Sequence, residues 1–131
     1  MLYPGTKIFL LEDNPLYQTL LLKQLESMSP DLQVFSKGES FLKALSAPPD
    51  LAILDYDLEG NMNGYDVLKQ LKALPYNLPV IFFSANLELP VTTSILKLGV
   101  LAYIEKNIFA FPRLKDCISQ VFQKRTIATA I

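Results

Sequence analysis

Short runs of apolar residues alternate along this chain with longer stretches in which apolar positions recur every three or four residues. The short runs are rich in β-branched and aromatic residues, as buried strands are, and the longer stretches have the period of a helix with one buried face. Lys7 to Leu11 reads as a first strand. Asn14 then caps and Pro15 opens a helix whose inward stripe is Leu16, Leu20, Leu21, Leu25 and Met28. Leu32 to Phe35 is a second strand, and Ser36 and Glu39 stand three apart, the spacing of a capping box, ahead of Phe41, Leu42 and Leu45. Pro48-Pro49 ends that helix, and Leu51 to Leu54 follows as a third strand. A polar loop through Glu59-Gly60-Asn61 leads to Asn63, the cap of a helix carrying Val67, Leu68 and Leu71. Val80 to Phe83 is a fourth strand. Pro90 lies near the start of a helix that turns Val91, Ile95 and Leu98 inward and stops at Gly99. Val100 to Ile104 is a fifth strand, and Pro112 starts a last helix with Leu114, Cys117, Ile118, Val121 and Phe122 on one stripe.

Five strand–helix units in succession, with strands that are continuous apolar runs, imply a parallel sheet covered on both faces. Right-handed crossovers leave few arrangements. The expected fold is α/β: a flavodoxin-like, doubly wound five-stranded parallel sheet in order 2-1-3-4-5, with five helices in three α/β/α layers. The 131 residues make a single domain, 1–131, with its core over about 6–125. Thr126 to Ile131 are too few for an output domain, so the expectation is a domain that acts alone, docks to a partner, or is a piece of a longer chain.

Composition narrows the chemistry. The chain has no histidine and one cysteine. Ser-His-Asp and Cys-His sites are therefore excluded, and so is a structural zinc site. A lone Cys117 rules out an internal disulfide and suits a reducing, cytoplasmic setting, with the thiol as a small core residue. The net charge is -1 with charged residues spread along the chain, which argues against direct nucleic-acid binding. The Lys124-Arg125 pair reads as a solvated helix end. No apolar run approaches a membrane span, and the start Met1-Leu2-Tyr3-Pro4-Gly5 lacks the features of a signal peptide.

What chemistry remains must run on carboxylates, hydroxyls and lysine. Glu12-Asp13, Asp55, Ser84 and Lys106 stand at or just past the carboxyl ends of strands 1, 3, 4 and 5. In a doubly wound sheet these ends converge where strand order reverses. Two like charges about 5 Å apart repel by about 3 kcal/mol at an effective dielectric of 20. A divalent cation relieves that repulsion, and hard oxygen ligands suit Mg²⁺.

With these residues in place, the chain resembles the receiver domains of two-component response regulators. The resemblance rests on LLEDN at 10–14, LAILDYD at 51–57, IFFSA at 81–85 and AYIEK at 102–106, and runs from Lys7 to about Lys124. It implies that Asp55 is the phospho-acceptor. It implies that Asp13 binds Mg²⁺ directly, Glu12 directly or through water, and Asp57 through its backbone carbonyl. Ser84 would hydrogen-bond the phosphoryl group, beside the small Ala85. Lys106 would pair with the acceptor and then with the phosphoryl oxygens, and Tyr103 would be the aromatic switch. The implied donor is a histidine kinase or phosphotransfer protein. The implied output is a downstream protein bound on the face of helix 4, strand 5 and helix 5. A phosphorylation-linked homodimer is left open. The only catalysis expected is of the domain's own phosphorylation and dephosphorylation.

The sequence departs from the family pattern where Asn107, not proline, follows Lys106, so a trans bond or a locally different loop is expected there. The loop after Asp55 lacks a frequent proline and is a residue longer, Asp57 carries a charge, and Ser replaces the commoner Thr at 84. Asp57 and Asn86 stand where they could govern water access to a phosphoryl group. Two other readings remain open. One is a degenerate receiver acting as a phosphorylation-independent binding module. The other is a haloacid-dehalogenase-like phosphatase with Asp57 as general acid, disfavoured because Glu12-Asp13 precede the nucleophile.

Overall fold

The structure, a computed structural model, describes residues 5–28, 30–85 and 87–130, with side chains as far as 123. The Lys124-Arg125 side chains and Asn86 lie outside the described residues.

The strands are β1 (Lys7–Leu11), β2 (Asp31–Phe35), β3 (Leu51–Leu54), β4 (Val80–Ser84) and β5 (Ala102–Glu105). The helices are α1 (Pro15–Leu25), α2 (Gly38–Lys43), α3 (Gly64–Lys72), α4 (Leu89–Leu98) and α5 (Phe111–Ala130). All four pairings are parallel, and the order is β2-β1-β3-β4-β5, as expected. Each central strand alternates its side chains between two cores. Ile8, Leu10, Ile53 and Phe83 face α1 and α5, where Leu21, Leu25, Leu114 and Ile118 are buried. Phe9, Leu11, Leu54 and Phe82 face Phe41, Val67, Leu68 and Ile95 from α2, α3 and α4. Burying both faces is what makes these strands apolar throughout.

Several expectations are corrected. Leu16 is 62 % exposed, and Tyr17 packs on the core in its place. Tyr17, Leu21 and Leu25 keep strict i, i+4 spacing, and Leu16 lies about 100° round the helix from that line. No Ser36–Glu39 capping box forms: α2 begins at Gly38 after Lys37 without a side-chain cap, and Ser36 Oγ instead accepts from Gln18 Nε2 at 3.1 Å. A capping box does form at α3, where Asn63 and Asp66 cap each other. β5 starts two residues later than expected because Gly99, at φ +92°, ends α4 and redirects the chain. Leu101 is left 54 % exposed. The backbone of α5 runs through to Ala130. Cys117 is partly buried against the core.

Sheet hydrogen bonding continues past the strand ends. Glu12 N donates to Phe35 O at 2.9 Å, Asp55 N to Leu11 O at 3.0 Å, and Lys106 N to Ser84 O at 2.7 Å. The acids and the lysine are thus fixed by the sheet's backbone even though they stand beyond its regular strands.

Candidate functional site

Asp55 is 4 % exposed, and both carboxylate oxygens are engaged. Oδ1 accepts from Ser84 Oγ at 2.8 Å and from the Tyr56 N–H at 2.8 Å. Oδ2 lies 2.8 Å from Lys106 Nζ. The same ammonium group reaches Glu12 Oε1 at 2.6 Å. Glu12 is also buried, and its Oε2 accepts from the Asn14 N–H at 3.1 Å. Its Oε1, by contrast, receives no well-directed hydrogen bond despite the ion pair.

Carboxylate oxygens of Glu12, Asp13 and Asp55 all lie within 4.8 Å of one another. Burial and mutual charge shift the proton affinities of these groups. Burial, reinforced by the charge of Asp55, raises the Glu12 carboxyl to about 7, against the pull of Lys106. Burial and then Asp55 likewise raise Asp13. Burial alone would lower Lys106, but its hydrogen bond to Asp55 and its close pairing with Glu12 more than offset that and leave it raised. Three acids facing one ammonium leave negative charge uncompensated. The hard, partly unsatisfied oxygen set therefore fits a divalent cation such as Mg²⁺, with Glu12, Asp13 and Asp55 as side-chain donors.

Asp57 is exposed and lies outside that carboxylate group. It lines, with Asp13, Tyr56, Asn61 and Asn63, a concavity of about 380 Å³ beside the acids. Ala85 is exposed at the end of β4. Tyr103 is half-buried, stacks on Phe82 with centroids 6.2 Å apart, and donates its hydroxyl to Ala85 O at 2.8 Å. Burial raises its phenol above the usual value.

No cis peptide occurs among the described residues, so the Lys106–Asn107 bond is trans, as expected. Asn107 Oδ1 accepts from the Phe109 N–H at 2.8 Å and its carbonyl from the Ala110 N–H at 3.1 Å. This side-chain turn bends the chain into α5 without proline.

Sequence reasoning missed three residues. Tyr17 lays its ring over Lys106 Nζ, 4.4 Å from the centroid. Its signal was available: it is one helical turn after Asp13. Gln18 Nε2 donates to Glu12 O at 2.6 Å. Gly64 packs against the Asp55 backbone so closely that a Cβ would collide with the Asp55 carbonyl. No sequence signal distinguishes that glycine from one that merely follows a cap.

The family model of the response regulator receiver domain matches residues 8–119. The chain belongs to that family. Among curated relatives, the receiver domain is 39 % identical over 79 residues to the transcriptional regulatory protein CssR of Bacillus subtilis, covering 60 % of this chain and 35 % of CssR. It is 30 % identical over 110 residues to the cyclic di-GMP phosphodiesterase response regulator RpfG of Xanthomonas campestris pv. campestris, covering 79 % of this chain and 29 % of RpfG. The chain thus spans about a third of the length of these relatives. Among solved structures, it superposes on the signal receiver domain of a modulated diguanylate cyclase from Desulfovibrio desulfuricans G20. The TM-score is 0.79 at 28 % identity, covering 95 % of this chain and 98 % of that one. It also matches the phosphorylated cyanobacterial phytochrome response regulator RcpA, with a TM-score of 0.73, 27 % identity, and 91 % and 87 % of the two chains covered. Receiver domains are signalling modules and generally not enzymes. Among the described residues no helix is long and apolar enough to cross a membrane.

Proposed function

We propose that this receiver domain accepts a phosphoryl group on Asp55 and relays its presence to a partner protein. The observation that carries the reading is the setting of Asp55. It is a buried carboxylate held by a hydroxyl on one oxygen and an ammonium on the other, with two more acids alongside. The solved RcpA, similar in fold, is described as phosphorylated.

The 131 residues contain no histidine, so the donor imidazole belongs to another segment or another molecule, a histidine kinase or phosphotransfer protein. An Asp55 oxygen forms the new bond to phosphorus as the phosphorus–nitrogen bond of the phosphohistidine breaks, and the donor leaves as histidine. Mg²⁺, when bound, supplies positive charge that offsets the charge of the transferring oxygens. Glu12, Asp13, Asp55 and the Asp57 carbonyl are the groups that would hold it. Lys106 turns from the Asp55 carboxylate to a phosphoryl oxygen, and the Ser84 hydroxyl exchanges Asp55 Oδ1 for another. Exposed Leu16, Ile108 and Phe109, on segments that leave the site after Asp13 and Lys106, offer the donor an apolar landing.

Ser84 and Tyr103 form the output path. Drawing Ser84 toward the phosphoryl group shifts the end of β4, including Ala85, whose carbonyl anchors Tyr103. Releasing that anchor lets Tyr103 turn inward and reshapes the α4–β5–α5 face, a population shift between two packings. Leu89 and Leu96 are exposed on α4 and fit a protein target there. The reading treats residues 1–131 as one receiver unit that catalyses only its own phosphorylation and dephosphorylation.

The degenerate reading is weakened by the Asn107 turn, which leaves the Lys106 ammonium against Asp55. Incubation with Mg²⁺ and acetyl phosphate, followed by intact mass measurement, tests the proposal. Wild type should gain one phosphoryl group and Asp55→Asn none; equal labelling of both would end it.

A further inference from the structure

Lys106 is the group in this site whose position is hardest to hold. Its long unbranched stem must keep an ammonium group between two carboxylates, and fixing such a side chain costs rotamer entropy. Two contacts are the Glu12 and Asp55 oxygens at 2.6 and 2.8 Å. The third is the face of Tyr17, whose centroid lies 4.4 Å from Nζ. The lysine side chain is only 10 % exposed, and an ammonium over a ring is attracted most where water is excluded.

The ring is itself braced. Tyr17 meets Phe83 edge to face, with centroids 6.1 Å apart and planes at 70°. Phe83 in turn packs on Phe111 at 5.8 Å. The backbone ties ring and acid together. The Tyr17 N–H donates to Asn14 Oδ1 at 3.4 Å, while the Asn14 N–H donates to Glu12 Oε2 at 3.1 Å. One helix cap therefore sets both the ring and the carboxylate that flank the ammonium.

We propose that Tyr17 is a positioning residue for phosphoryl transfer, its braced ring face holding the Lys106 ammonium in place for the incoming phosphoryl oxygens. The role rests on the reading of Asp55 as acceptor. Tyr17 touches none of the reacting atoms and acts through Lys106. Phenylalanine keeps the ring face; leucine keeps apolar packing and removes it. Losing a contact of about 1 kcal/mol, between the exposed and the desolvated extremes, corresponds to about a fivefold change in rate.

Wild type, Tyr17→Phe and Tyr17→Leu are compared in two ways. One is the maximal rate of phosphorylation by acetyl phosphate in saturating Mg²⁺. The other is the NMR shift of the Lys106 ε-methylene protons, on the carbon that carries the Nζ held over the ring, which a ring face moves upfield. Tyr17→Leu should lower the maximal rate about fivefold and abolish the upfield shift. Tyr17→Phe should keep the shift and recover most of the rate. Should the leucine variant not fold, Tyr17→Met, also without a ring, carries the same expectation. A ringless variant as fast as wild type, or a phenylalanine variant as slow as the ringless one, overturns the proposal. If wild type takes up no phosphoryl group, the acceptor reading fails, and the positioning role in transfer falls with it. If wild type is phosphorylated but its Lys106 protons show no ring shift, only the Tyr17 inference fails.

Discussion

Gly64 lies directly against the carbonyl of Asp55, leaving no room for even a single methyl group between α3 and the acceptor. Its own N–H donates to Tyr56 O at 2.8 Å, so the first residue of α3 is hydrogen-bonded to the residue after Asp55. The atoms in the way are backbone, which cannot swing aside like a side chain. Gly64→Ala should therefore destabilise the fold by about 1–3 kcal/mol, the usual cost of an overpacked core, measured by urea unfolding. It should also slow acetyl-phosphate labelling, because the backbone that yields carries Asp55. Unchanged stability together with an unchanged labelling rate would mean that α3 adjusts without moving the acceptor.

Ser84 Oγ donates to Asp55 Oδ1 at 2.8 Å and accepts from the Tyr56 N–H at 3.2 Å. The hydroxyl is already in place beside the acceptor, and its expected change of partner is short. Ser84→Ala removes a bond to a charged group, worth about 1.5–3 kcal/mol. The variant should be less stable yet still labelled by acetyl phosphate, since Asp55 and Lys106 remain. What it should lose is the response of the Tyr103 ring to phosphorylation, read as a change in its aromatic NMR signals. A full Tyr103 response in Ser84→Ala would detach the switch from this hydroxyl.

The sheet was legible in the sequence because its strands are buried on both faces and so are written as unbroken apolar runs. That pattern places Glu12, Asp13, Asp55, Ser84 and Lys106 at strand ends, and hence near one another. Helix faces were harder to read. Leu16 pairs with Leu20, and Tyr17 with Leu21, at the same i, i+4 spacing, so the pattern admits either stripe and packing on Phe83 selects Tyr17. Ser36 likewise carried a valid capping signal, but Gln18 of a different helix took its hydroxyl. Gly99 correctly ended α4, yet how far its positive φ would delay β5 depended on pairing with β4. These choices are tertiary, and local pattern does not encode them.

Lys106 is the counter-charge for two buried carboxylates at once. In Lys106→Met the stem's packing is kept and the charge is lost. An unpaired buried carboxylate is costly, but Glu12, with a carboxyl already raised to about 7, can escape by binding a proton. The variant should thus lose about 1–3 kcal/mol at neutral pH, and less in acid. Mg²⁺ should restore stability to the variant more than to wild type, because the cation then faces acids with no competing ammonium. Thermal melts with Mg²⁺ and with a chelator check this; equal stabilisation of both proteins would show that lysine and metal do not share the same negative charge.

The raised Glu12 carboxyl gives the metal-free domain a defined pH dependence. A carboxyl that moves from 4.5 in the unfolded chain to about 7 in the folded one holds its proton more tightly when folded. Between those values the folded state binds more protons than the unfolded state, so stability falls as pH rises. The contribution is fully present below about 4.5 and is gone above about 7. Glu12→Gln cannot titrate there, so the wild-type melting temperature should fall relative to that of the variant across this window, in the presence of a chelator. A divalent cation competes with the same proton and needs the ionised acid. Mg²⁺ affinity of the wild type, titrated by tyrosine fluorescence, should therefore strengthen from pH 6 to pH 8. A Glu12→Gln protein whose melting curve keeps the wild-type pH slope would place the titrating group elsewhere.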